Sequence, residues 1–150
     1  MTLLEKRMRG LNRDLSAAVS KVLDDAKPKS VHRLRTTVRR IESLVSYANP
    51  DIGKKEERTL EKMADLRKRA GKVRDLDVQA DLLGNLGNGS AAKDRKTLAE
   101  LLTKKRDQQA KRLEGTENFH EHLCGSTEVA YMNKGILANA VRHVRDRVGG

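Results

Sequence analysis

"VHRLRTTVRRIESLV", residues 31–45, sets Val31, Leu34, Val38, Ile41 and Val45 at spacings of three, four, three and four. That series is the apolar stripe of an amphipathic helix. One residue further round, His32, Arg35 and Arg39 make a second stripe, about 100° from the first on a helix of 3.6 residues per turn, and Arg40 widens it. Such a helix buries one face and sets beside it a row of mutually repelling cations, a repulsion that an anion would relieve.

The 3,4 pattern extends in both directions. Upstream, Leu4, Met8, Leu11, Leu15, Val19 and Val22 predict a helix over about 2–25. "DDAKPK" breaks it, and Pro28 suits the first position of the next helix. Pro50 ends that second helix. A third, over about 54–84, uses Leu60, Met63, Leu66, Ala70, Val73, Leu76, Ala80 and Leu83. "GNLGNGS" is a loop, and Ser90 can cap the helix after it. This fourth helix, from about 91, carries Leu98, Leu101, Leu102 and Leu113 and is able to run on through Phe119 and Leu123. A last segment, about 128–147, has Ile136, Leu137, Ala140, Val141 and Val144. There is no strand pattern of period two and no Gly-rich phosphate loop. The expected fold is all-α, an antiparallel helical bundle of four to five helices joined by short loops, in one domain spanning 1–150.

The composition fits. Of 150 residues, 37% are hydrophobic and 35% charged, which suits a soluble helical protein with a real core. With no Trp, one Phe and two Tyr, that core must be aliphatic. Thirty-two Lys and Arg against 21 Asp and Glu leave a formal charge of +11, a surplus that points to an anionic partner. Nucleic acid, anionic lipid and inorganic polyphosphate are the candidates. No apolar run approaches the roughly 20 residues of a membrane span, and "MTLLEKRMRG" lacks the apolar stretch of a signal peptide. Cys124 stands alone, so no internal disulfide is expected. These features predict a soluble cytoplasmic protein.

On the third helix Arg67 and Arg74 are seven residues apart, nearly in line and about 10 Å apart along the axis. Gly71 lies between them on the same face, at a cost of about 1 kcal/mol relative to alanine. A glycine there admits close approach, by a crossing helix or by a ligand's phosphates. Lys68, Arg69 and Lys72 add charge around it, as do Lys104, Lys105, Arg106, Lys111 and Arg112 on the fourth helix. Any one of these is an ordinary solvated charge, but together they make positive charge dominate three successive helices. Arginine is also the better residue for gripping oxyanions through fixed donors.

The chemistry that is missing narrows the function. Asp75 and Asp77 look like an Asp-x-Asp metal pair, but residues two apart on a helix diverge by about 200°. A supporting role suits them better: Asp77 three residues from Arg74 can orient its guanidinium, and Asp75 can do so for Lys72 or pair with an arginine of the second helix. "FHEHLC" offers His120, His122 and Cys124, which share a face only in an extended segment, and no fourth ligand stands near. Neither a metal nor a cofactor is expected. Without a catalytic triad, an acid/base carboxylate pair or a Walker loop, no enzymatic activity is expected.

"VHRLRTTVRRIESL", followed about 25 residues later by "LRKRAGKVRDLDVQADLL", resembles the CHAD domain, the conserved histidine α-helical domain. The first stretch matches that family's His-x-x-Arg-x-x-x-Arg-Arg pattern at His32, Arg35, Arg39 and Arg40. The second matches Gly-x-x-Arg-Asp-x-Asp-Val at Gly71, Arg74, Asp75, Asp77 and Val78, so the direct match covers 31–83. The resemblance implies a bundle that binds inorganic polyphosphate through a basic surface or channel, without chemistry of its own, and that is found in places at polyphosphate granules. The first candidates for phosphate contact are Arg35, Arg39, Arg40 and Arg74, with His32 of the same motif and Arg67, Lys72 and Arg106 of the surrounding charge as further candidates. His32 also fits a purely structural place at the helix start.

The family has two similar halves, and this sequence holds one His-x-x-Arg stretch. It is expected to be half of a two-fold architecture that a homodimer completes, or else a shortened or diverged member. The alternative function is non-specific nucleic-acid binding, histone-like or to RNA, driven by phosphate neutralisation. Three aromatic residues leave little for base stacking.

Overall fold

Among the described residues the apolar stripes become four helices: α1 (Leu3–Asp24), α2 (Pro28–Ala48), α3 (Lys54–Asn85) and α4 (Ala92–Glu114). The computed structural model describes residues 3–48, 54–86, 89 and 91–114, so the predicted 128–147 segment and "FHEHLC" lie outside the described residues. Each helix packs on the next in sequence, and α4 returns to touch α1. The helices alternate in direction. Arg35 of α2 lies over Gly71 of α3, while Glu42, further along α2, meets Arg67, further back on α3. The fold is an all-α antiparallel bundle.

The core is aliphatic. Met8, Leu11, Leu15, Val19 and Val22 of α1 are buried against Val31, Leu34, Val38, Ile41 and Val45 of α2. Met63, Leu66, Ala70 and Val73 come from α3, and Ala110 and Leu113 from α4. Pro28 is the first residue of α2, and the Lys27 carbonyl accepts the Val31 amide at 3.0 Å. A proline there loses no hydrogen bond. In the same turn, Lys27 lies 2.7 Å from the Asp25 carboxylate. That hydrogen bond, and then the opposite charge, holds the Lys27 ammonium above its ordinary value of 10.5. A raised lysine value supports folding below about 10.5 and loses that support only as pH climbs through the higher folded value, so the pair is intact at neutrality.

α4 opens with the Ala91 carbonyl accepting the Arg95 amide; Ser90 lies outside the described residues. The Arg95 guanidinium reaches back to the Leu86 carbonyl just past α3, a cation placed where helix carbonyls lack partners.

The apolar stripe of the α3–α4 hairpin is longer than the core that covers it. Leu76 and Leu83 are half-buried and Ala80 is exposed; Leu98 and Leu101 are exposed and Leu102 half-buried. The sequence pattern put all six in the core. The reason is length. Through Arg106, Asp77 sits level with Ala26 in the turn between α1 and α2, and from there to Asn85 α3 runs on for about 12 Å. Neither α1 nor α2 extends along that stretch, which leaves Val78, Leu82, Leu86, Leu98 and Leu101 at the surface.

Candidate anion-binding site

α2 positions four of the eight candidate residues, and the winding of the helix divides them between two neighbours. The Arg35 side chain lies over Gly71, where a Cβ on the glycine would stand 3.9 Å from Nε. Arg35 Nε is buried and has no hydrogen-bond partner among the described residues. Because α2 and α3 are antiparallel, His32 and Arg74 fall at one level, three residues along each helix from the Arg35–Gly71 contact. That is about 4.5 Å of axis. Arg35 and Arg74 are half-buried, while His32, Arg39 and Lys72 are exposed. The seam between α2 and α3 therefore gathers His32, Arg35 and Arg74 around a glycine, with Arg39 and Lys72 at its margins.

Arg40 faces the other way. It borders a hollow of about 360 Å³ whose remaining lining, including Lys6, Arg7 and Asp14, belongs to α1. With Arg39 it also borders an adjoining groove of about 400 Å³ shared with Arg7 and Leu11 of α1. Arg40 thus continues the row of cations around the outside of α2 but does not join the seam. Arg7 escaped the sequence analysis; its signal is position i−4 from Leu11, which puts it at the edge of the α1 core stripe.

Two predicted contacts are already engaged. Arg67 Nε stands 2.8 Å from a carboxylate oxygen of Glu42, both side chains about a quarter exposed. Arg106 Nε donates to Asp77 at 2.7 Å, and its Nη2 donates to the Ala26 carbonyl. One guanidinium thus ties α4 to α3 and to the α1–α2 turn. This corrects the expected role of Asp77, whose carboxylate holds Arg106 and not Arg74. Counting by threes and fours from Met63, Leu66, Ala70 and Val73 lands on residue 77, so Asp77 occupies a core position and is only 7% exposed. Arg106 likewise lies in line with Ala110 and Leu113. Two charges on facing core stripes neutralise each other there. Asp75 is exposed, so the two carboxylates diverge as the helix geometry requires.

Gly71 is buried, yet a methyl group would meet Arg35 only at ordinary van der Waals distance. Gly71→Ala is expected to raise stability by up to about 1 kcal/mol, measured as a higher urea midpoint. A loss of stability would mean that the helices pack more closely at this point than 3.9 Å indicates.

No helix among the described residues is long and apolar enough to cross a membrane. No curated protein and no solved structure matches the chain. A protein-family model, CHAD domain, matches residues 6–121. That span takes in α1 from Lys6 onward, all of α2, α3 and α4, the seam and both stretches that carry the cations, and the chain is a member of the CHAD domain family.

Proposed function

We propose that this chain is a non-catalytic binder of inorganic polyphosphate. Phosphate contact falls to His32, Arg35, Arg39, Lys72 and Arg74, and Arg40 extends the row on the α1 side. One observation carries this reading. Among the described residues none of these six side chains has a carboxylate partner, whereas Arg33, Arg67, Arg69 and Arg106 do. The unpaired cations are contiguous around α2 and across to α3, and a linear polyanion with charge on every unit is the ligand that neutralises such a row. Membership of the CHAD family supports it. Arg67 and Arg106 drop out of the contact set, because recruiting either would strip Glu42 or Asp77 of its partner.

The same reading places the protein in the cytoplasm, at polyphosphate granules where these form. It extends to a homodimer in which a second copy covers the exposed leucines of the α3–α4 overhang and doubles the length of the cation row. Sedimentation with and without long-chain polyphosphate tests this, and a monomeric mass at high concentration in both conditions removes the dimer.

Binding itself is tested by competition at physiological salt. Labelled long-chain polyphosphate is bound to the protein and displaced by unlabelled chains, duplex DNA or single-stranded RNA. Displacement by polyphosphate at far lower phosphate concentration than by either nucleic acid is expected. Displacement charge for charge by DNA or RNA would make the row a general nucleic-acid face.

A further inference from the structure

The groove between α1 and α2 holds more than cations. It is lined by Leu11, buried, Leu44, half-buried, and the exposed Arg7, Arg39 and Arg40, and by Tyr47, 88% exposed and the lining residue furthest along α2. The hydroxyls of Thr36 and Ser43 also border it. Its volume of about 400 Å³ falls in the range of small-molecule sites, roughly 300–1,000 Å³. Arg7, Arg39 and Arg40 have no carboxylate partner among the described residues. Asp14, in the adjoining hollow, lies 3.7 Å from the Arg33 guanidinium.

A bare phosphate chain uses the guanidiniums but has no use for leucines or an aromatic ring. A ligand with a flat apolar ring at one end, hydroxyls in the middle and several phosphates at the other meets Tyr47, then Ser43, then Arg40 and Arg39, in the order that α2 sets them. We propose that the α1–α2 groove binds a nucleoside polyphosphate, its base against Tyr47 and Leu44 and its phosphates on Arg7, Arg39 and Arg40. This site is separate from the α2–α3 seam and does not depend on polyphosphate binding there. Arg39 and Arg40 also belong to the polyphosphate row, so the two ligands compete for these two side chains and each weakens the other.

The test compares adenosine triphosphate with inorganic tripolyphosphate, which has as many phosphates and no base, by calorimetric titration of the full chain. The nucleotide is expected to bind at least about tenfold tighter, since a stacked base contributes on that scale. Tyr47→Ala is expected to abolish this preference, and Arg7→Gln to weaken the nucleotide by about tenfold or more. Both side chains are exposed, so neither exchange disturbs the core. The seam variant Arg35→Glu with Arg74→Glu is expected to keep nucleotide affinity within about twofold, whatever it does to long-chain polyphosphate. Equal affinity for nucleotide and tripolyphosphate, a silent Tyr47→Ala, or loss of the nucleotide in the seam variant would each overturn the proposal.

Discussion

Replacing Arg35 and Arg74 together by glutamate is expected to weaken long-chain polyphosphate binding by at least about 100-fold at physiological salt. Hydrogen bonds to charged groups contribute about 1.5–3 kcal/mol each, so two lost contacts already reach that figure before the new repulsion is counted. Both side chains are half-buried at the seam, where water screens their charge less than at an open surface. The control is Lys104→Glu with Lys105→Glu, the same change in net charge at exposed positions of α4. It is expected to cost only a few-fold, with binding falling more steeply as salt rises in the control than in the seam variant. Equal losses from the two pairs would mean that total charge, and not the seam, binds the polyanion.

The second large effect is on stability. Arg106→Ala removes the partner of Asp77, a carboxylate 7% exposed whose other oxygen already lacks a hydrogen bond. It also strips the Ala26 carbonyl of its donor. Breaking one side of such a pair costs about 3 kcal/mol or more, which at about 2 kcal/mol per molar urea lowers the midpoint by about 1.5 M. Asp77→Leu with Arg106→Leu is expected to recover most of that loss, because no buried charge is left unpaired. A double variant as unstable as Arg106→Ala would show that the pair stabilises the bundle through its own attraction.

The fold was legible to the extent that each helix buries a simple stripe. Val31, Leu34, Val38, Ile41 and Val45 are all buried, and Pro28 starts α2. The overhang was not legible, because a 3,4 stripe records which face is apolar but not where the neighbouring helices end. Ala80 and Leu101 continue their stripes past the last residues able to cover them. The cations on α2 were legible as a group. Their division was hidden, since spacing separates Arg40 from Arg35 around one helix without saying which neighbour lies on either side. Asp77 and Arg106 misled for a different reason. An acid or a base in a motif reads as a ligand contact, and only packing reveals that both occupy core stripes.

The bond from Arg106 to Ala26 joins residues 80 positions apart, and it has a kinetic consequence. α1 with α2, α2 with α3 and α3 with α4 are all pairings of neighbours in the chain, whereas α4 on α1 is the long-range closure. Contacts that close short loops form early and those that close long ones form late. The Ala26 bond is therefore expected to form after the bond to Asp77, which joins the neighbouring helices α3 and α4. Removing Arg106 is expected to slow folding through the lost Asp77 pair and to speed unfolding through the lost Ala26 bond, so one side chain acts on both how fast the bundle forms and how long it lasts.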